Sequence, residues 1–239
     1  MPPEPLTSLP EPVAPLPGPV ESLPEPVAPL PEPFESLPEP VESLPEPVES
    51  LPEPVEGLRC VTYQPGWVAE PELVFDRLTN ELTWEQLPIT LFGRTVPTPR
   101  LTAWVGGAAY AYSGVINHPQ PWPPTLRALR DRLIAELGAP FNSCLANLYR
   151  DGSDSMGYHS DDEPELGPRP VIASVSLGAR RSFTLRHRIS RQRWTWALGA
   201  GDLLVMRDEA QSDYAHAVPK TARPVGARMN LTFRQFYSS

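Results

Sequence analysis

The chain has 239 residues, 34 of them proline and only two cysteine, and a formal net charge of −9. The two cysteines, Cys60 and Cys144, sit far apart with no CxxC spacing, which argues against a disulfide-stapled scaffold or a zinc ribbon. No basic-then-apolar leader opens the chain, and no apolar run nears the ~18 residues a membrane span needs. These features predict a soluble intracellular protein, cytoplasmic in a bacterium and with the nucleus open to it in a eukaryote.

Residues 1–57 hold 19 of the prolines and 12 glutamates, with no Lys, Arg or Asp. From Leu9 onward the sequence repeats every seven residues, "LPEPVES" being typical. A seven-residue period is that of a coiled coil, but each proline in a helix interior costs roughly 3 kcal/mol, so the helix is excluded. The alternation favours extended, solvated polyproline II, a disordered Pro/Glu-rich tail. Composition favours a repulsive spacer over a docking ligand for a partner domain. Without the tail, residues 58–239 carry 20 Lys and Arg against 17 Asp and Glu. The acidic total hides a mildly basic domain.

The folded domain is expected from Leu58 to Ser239. "EPELVFDRLTNEL" (Glu70 to Leu82) places Leu73, Phe75, Leu78 and Leu82 at near-helical spacing. "PPTLRALRDRLIAELG" (Pro123 to Gly138) is a clearer helix: Leu126, Leu129, Leu133, Ile134 and Leu137 form one face, with proline at its start and glycine past its end. Beyond Gly138 the pattern changes to short β-type runs, "CLANLY", "VIASVSLG", "RSFTLRHR", "RWTWALG", "DLLVMR" and "RMNLTFRQF", punctuated by Gly, Asp and Pro. Two helices followed by many short strands predict an α+β chain with helices packed on a β-sandwich or jelly roll.

Chemistry gathers in the stretch "GYHSDDEPEL" (Gly157 to Leu166). His159 and Asp161 are two apart, so at a strand end both side chains can close on one ion. Two histidines and one carboxylate with open positions opposite are the facial triad of non-haem Fe(II) oxygenases. Of the other histidines, His118 lies in a Pro-rich loop and His187 in the basic run "LRHR". His216, after the strand "DLLVM" and a polar turn, is placed where a sheet returns it to His159. Such a centre needs electrons, and 2-oxoglutarate is a common source; its far carboxylate calls for a buried arginine. "RMNLTFR" offers two, since Arg228, Asn230, Thr232 and Arg234 share one strand face, with Met229, Leu231 and Phe233 on the other. Asn147 and Tyr149 of "NLY" form a second same-face pair.

Taken together, "NLYRDG", "HSDDE", "IASVSLGARRSF" and "RMNLTFR" resemble the AlkB family of Fe(II)/2-oxoglutarate dioxygenases. The resemblance spans roughly Leu73 to Tyr237. "PRLTAW", "FNSCLANLYRDG" and "HSDDEPELG" look closest to the two animal nucleic-acid demethylases of that family. It implies a double-stranded β-helix (jelly-roll) core, with His159, Asp161 and His216 as iron ligands and Asn147, Tyr149, Arg228, Asn230 and Arg234 as 2-oxoglutarate contacts. Arg228 would hold the distal carboxylate with Tyr149, and Arg234 and Asn147 would lie by the C1 end. Glu163 falls where the family places an acidic residue at the flipped base. Tyr110 and Tyr112 fall in the aromatic stretch of the base pocket, and Trp104 is a further lid candidate. Phe92, in "LFGR", matches a hairpin side chain that enters a duplex in one animal relative.

The resemblance implies oxidative removal of methyl groups from 1-methyladenine and 3-methylcytosine, using Fe(II), O2 and 2-oxoglutarate and releasing formaldehyde, succinate and CO2. The expected substrate is DNA, single- or double-stranded, with RNA or tRNA as the alternative inside the same chemistry. A non-catalytic adaptor working through the tail is the alternative outside it. The protein is expected to act as a monomer. Arg94, Arg100, Arg127, Arg130, Arg180, Arg181, Arg186 and Arg188 are the candidates for a phosphate-contacting face.

Overall fold

The computed structural model describes residues 54–91, 94–106, 110–112, 115–117 and 119–237, with 89–91, 94, 110–112 and 115–117 described as backbone alone. In chain order the elements begin with β1 (Pro54–Val55), β2 (Leu58–Gln64) and helix α1 (Pro71–Glu81). Two hairpin partners follow, β3 (Pro88–Leu91) and β4 (Arg94–Pro97), then β5 (Leu101–Gly106) and a second short pair, β6 (Tyr110–Tyr112) and β7 (Val115–Asn117). Helix α2 (Pro124–Leu137) leads into β8 (Ser143–Tyr149) and β9 (Met156–His159), and a 3-10 turn at Pro164–Leu166 leads into β10 (Ile172–Gly178). The chain closes with β11 (Arg181–His187), β12 (Arg193–Leu198), β13 (Asp202–Met206), helix α3 (Ala210–Asp213), β14 (Tyr214–Val218) and β15 (Arg228–Arg234).

Helix α2 forms where the apolar spacing puts it. Pro124 opens the helix, and Gly138 closes it at φ 64 with its N–H on the Ile134 carbonyl, a left-handed turn that glycine adopts without a Cβ penalty. Leu126, Leu129 and Leu133 are buried, each worth roughly 1.5–3 kcal/mol of apolar transfer. Helix α1 packs against β10 and α2. Its inward face is Val74, Phe75, Leu78 and Leu82, whereas Leu73 points outward and is exposed. The helix starts at Pro71, and that phase sets which side faces the sheet.

The strands form a seven-stranded sheet, ordered β1-β2-β13-β10-β15-β8-β5, and a four-stranded sheet, ordered β12-β11-β14-β9, with β3-β4 and β6-β7 as separate hairpins. Every named strand pair is antiparallel. The architecture is rich in antiparallel sheet with few helices, as the short β-runs predict. Pro54–Val55, inside the last repeat of the tail, pairs with β2, so the large sheet reaches back past the expected start at Leu58. No helix among the described residues is long and apolar enough to cross a membrane.

Two cores result. One face of the large sheet, including Cys144, Ala146, Val175, Leu203, Met229, Leu231 and Phe233, packs under the helices. The other face supplies Trp104, Tyr149, Ile172, Leu204 and Met206, which meet Phe183 and Leu185 of the small sheet. The central strand β13 is covered on both sides and reads as an apolar run, whereas β15 alternates apolar residues with polar ones that face the cavity. The small strands β5, β9 and β14, lacking such runs, escape that reading. Gly178, at the end of β10, sits at φ 73 with the Ala227 carbonyl oxygen 2.6 Å from where a Cβ would be. Gly178→Ala should therefore cost at least about 2 kcal/mol, a fall in Tm of roughly 4–8 °C. Gly226→Ala, with only an ordinary 3.8 Å contact to meet, should leave the melt nearly unchanged.

Candidate metal centre

β9 and β14 pair so that His159 lies directly across from His216. Their rings are 4.2 Å apart, centroid to centroid. Asp161 follows β9 by two residues, and its backbone N–H is fixed by Gln211 Oε1 at 2.9 Å, reached from α3. Nε2 of each imidazole stands 4.0 Å from one oxygen of the Asp161 carboxylate. The three donor atoms all lie within 4.8 Å of one another. His159 Nδ1–H donates to the Gly157 carbonyl at 2.9 Å, which leaves its Nε2 lone pair facing the others.

The electrostatics suit a divalent cation. Burial, reinforced by the neighbouring His159, lowers the pKa of His216 to about 3. The ring is thus a neutral imidazole at physiological pH and gives up no proton to bind a metal. Burial alone would raise the Asp161 carboxyl, but the Arg234 guanidinium and then the two histidines outweigh it, and its pKa falls below the usual value. Arg234 Nη2 donates to Asp161 Oδ1 at 2.8 Å, with both side chains buried. Two imidazole nitrogens and one carboxylate oxygen form a borderline donor set that fits Fe(II).

The triad sits in one wall of a cavity between the two sheets, which also receives Asn147 and Tyr149 from β8, Asn230, Thr232 and Arg234 from β15, and Glu163. The same-face expectations for both strands match this arrangement. Beneath it Arg228 is 1% exposed. Its Nη2 donates to Ser176 Oγ at 2.7 Å and to Asn230 Oδ1 at 3.0 Å, while Nε and Nη1 make no hydrogen bond. Burial lowers its pKa to about 10, partly offset by Tyr149, so it stays a cation at neutral pH. Among the described residues no carboxylate forms an ion pair with it. A buried guanidinium with two spare donors is a seat for a small carboxylate, and 2-oxoglutarate fits that seat.

The remaining expected residues fall differently. Trp104 is buried in the second core, edge-on to Phe236 at 5.8 Å, and does not line the cavity. Tyr110 and Tyr112 lie on β6, whose backbone alone is described. Phe92 lies outside the described residues, between β3 and β4. Two arginines expected at phosphate are unavailable to it. Arg100 is buried in the cavity wall with Nε on Asn147 Oδ1 at 2.7 Å, and Arg181 is buried with its donors on the carbonyls of Asp151, Asp154 and Pro219. Arg180 is paired with Asp202 at 2.8 Å. Sequence reasoning missed Gln211, which only the α3 turn brings to Asp161, and Arg100, whose position between Pro99 and a short strand carries no burial signal.

Comparison with known proteins agrees with this geometry. The profile of the 2OG-Fe(II) oxygenase superfamily matches residues 61–234. The chain is 41% identical over 193 residues to rat (Rattus norvegicus) alpha-ketoglutarate-dependent dioxygenase alkB homolog 3, covering 76% of this chain and 65% of that protein. It is 39% identical to the human (Homo sapiens) protein of the same name over 76% of this chain and 68% of the other. It is 38% identical to mouse (Mus musculus) DNA oxidative demethylase ALKBH2 over 70% and 75%. The chain thus spans about two thirds of the length of the first of these relatives. Among solved structures, that of OsALKBH1 aligns at TM-score 0.53 and 19% identity, covering 74% of this chain and 98% of that one, a likeness of fold.

The Asp161–Arg234 pair sets a testable balance. Arg234→Met strands a buried carboxylate and should cost about 3–5 kcal/mol of stability without metal. A divalent ion such as Mn(II) replaces the lost charge, so it should raise Tm more in the variant than in the native protein. Equal rises in thermal melts would contradict the assignment.

Proposed function

This chain belongs to the 2OG-Fe(II) oxygenase superfamily, and we propose that it is a nucleobase demethylase acting on 1-methyladenine and 3-methylcytosine in nucleic acid, with DNA as its main substrate. The observation that carries the proposal is one cavity holding His159, Asp161 and His216 and, hydrogen-bonded to Asn230 of its wall, a buried arginine with spare donors and, among the described residues, no carboxylate partner. Relatives named as an alkB homolog and a DNA oxidative demethylase support the substrate class. The two facing sheets take the form of a double-stranded β-helix.

His159, Asp161 and His216 would hold Fe(II). Arg228, with Tyr149 and Asn230 beside it, would take the distal carboxylate of 2-oxoglutarate, and Arg234 and Asn147 would lie near its C1 end. Bound iron, with O2 and 2-oxoglutarate, supplies the oxidation of an N-methyl group to N-hydroxymethyl, giving succinate and CO2. The hydroxymethyl group then leaves as formaldehyde and the base regains its lone pair.

The chain's own residues select and position. Glu163, half-buried on the cavity wall, presents its carboxylate to the incoming ring. The methylated bases are cationic where the ordinary ones are neutral, so a carboxylate in a sheltered site favours the damaged base by charge. Met156 and Phe183 line the same cavity with apolar surface and keep water from the methyl group. The base must leave its stack to reach this depth, and a lesion that pairs poorly leaves most easily. The tail, residues 1–57, acts as a spacer outside this chemistry.

The test is mass spectrometry of matched oligonucleotides carrying one 3-methylcytosine, as single-stranded DNA, duplex DNA and RNA, incubated with Fe(II), ascorbate and 2-oxoglutarate. A 2-oxoglutarate-dependent loss of one CH2 per lesion is expected, and none with His216→Ala. No loss on any of the three would overturn the proposal, and faster turnover of RNA would move it to the RNA reading. Arg228→Met should raise the 2-oxoglutarate concentration for half-maximal turnover by roughly 30-fold or more, since one partner of a buried charge pair is gone. An unchanged requirement would remove Arg228 from the seat. Deleting residues 1–53, which leaves β1 in place, should leave turnover of short oligonucleotides within about twofold, and a large loss would refute the spacer role.

A further inference from the structure

A surface depression opens beside the metal centre, and His159 is the residue that lines both it and the cavity. The depression is otherwise formed mainly by Tyr158, Arg186, Arg188 and Arg191, with no carboxylate among its lining residues. Tyr158 precedes the metal ligand on the edge strand β9 and is 41% exposed, unusual for a large aromatic. The Arg186 guanidinium carbon lies 3.8 Å from its ring centroid, and Arg186 Nε is buried with no hydrogen-bond partner. Arg186 faces outward from β11 across Ala215 of β14, so its side chain bridges two strands to reach the tyrosine.

The other two cations come from the turn between β11 and β12. Arg188 is steered toward the depression by Ser160 Oγ at 2.7 Å, with the exposed Asp162 carboxylate at a looser 3.4 Å. Arg191 stands at φ 64, a left-handed conformation that a side-chain-bearing residue adopts only where its surroundings hold it. Its N–H donates to the His187 carbonyl at 3.1 Å and closes the turn. The Arg186 guanidinium thus lies over one face of the Tyr158 ring as an aromatic–cation stack, with the Arg188 and Arg191 cations beside it.

We propose that this depression docks the nucleotide adjacent to the one whose base enters the cavity, with its base stacked on the Tyr158–Arg186 platform and its phosphate between Arg188 and Arg191. The inference rests on the nucleic-acid reading above and narrows it. A base stacked on protein has left its neighbours in the strand and its partner across the duplex, so the platform favours single-stranded substrate. Stacking on an aromatic ring is indifferent to which base is presented, which suits an enzyme that meets lesions in any sequence.

The experiment is fluorescence anisotropy of the full-length protein with an undamaged, mixed-sequence single strand and with its duplex, at several salt concentrations. Tyr158→Ala should weaken single-strand binding by roughly 5- to 150-fold and change duplex binding much less, while Tyr158→Trp should keep it. Arg188→Ala and Arg191→Ala should each lower the log–log salt slope by about 0.7. Unchanged single-strand binding by Tyr158→Ala, or an equal loss on both forms, would overturn the platform. Because the probe carries no lesion, this outcome is separate from the activity. A native protein that binds through Tyr158 yet removes no methyl would refute the demethylase and keep the subsite. One that demethylates with the same KM after Tyr158→Ala would do the reverse.

Discussion

The site hangs on a single buried ion pair, Arg234 to Asp161. Arg234 belongs to β15 in the middle of the large sheet, and Asp161 to the loop that leaves β9 at the edge of the small one. Each group is almost fully removed from water, where an unpaired charge is costly. The pair therefore holds only when the two sheets are closed on each other, and it aims the carboxylate between the two imidazoles. Gln211 fixes the backbone of the same residue from a third direction, so the carboxylate has little freedom left.

Around that pair the two sheets divide the work by rigidity. β15 has a neighbour on both sides, β10 in unbroken register from Arg228 to Phe233 and β8 from Arg228 to Arg234, and its cavity-facing residues are held like teeth of a comb. A strand so constrained suits the cosubstrate, whose two carboxylates need donors at fixed spacing. β9 is short, lies at an edge and pairs with β14 through an irregular register. It carries one metal ligand at its end and leaves the opposite side open, where a bulky base can approach. The closed sheet holds what is constant between turnovers, and the open edge meets what varies.

The sequence discloses the first of these more readily than the second. "RMNLTFR" can be read correctly because a strand covered by helices on one face and a cavity on the other must alternate apolar with polar, and buried arginines on that polar face demand an anion. Helix α2 is equally plain, as its leucines and flanking Pro and Gly are local signals. His216 is placeable by its position after a strand, though its pairing with His159 joins residues far apart in the chain and depends on how β14 meets β9. Arg100 and Arg181 look like surface cations in sequence, and they are buried because carbonyl and amide oxygens from distant segments gather around them. Tyr158 gives no sign of its role either, since its exposure and its contact with Arg186 arise from the path of β11 and β14. Local pattern reveals the periodic elements, while partners that meet across the fold stay hidden until the fold is known.

The placement of charge explains how one cavity can admit two opposite guests. Positive charge comes from Arg100 and Arg234 in the cavity wall and from Arg228, which is hydrogen-bonded to Asn230 of that wall, and on the proposed reading it holds a dianionic cosubstrate. Negative charge from Glu163 lies on another part of the wall, favouring the cationic base and discouraging a second anion. Asp161, with the imidazoles of His159 and His216 beside it, offers a carboxylate and two ring nitrogens to a divalent ion. On the proposed reading a neutral, undamaged base gains less from Glu163 than a cationic one, so charge on the substrate contributes to selectivity for the lesion. On the proposed docking, the arginines of the outer depression extend the same logic to the strand, since they would hold a phosphate outside the cavity.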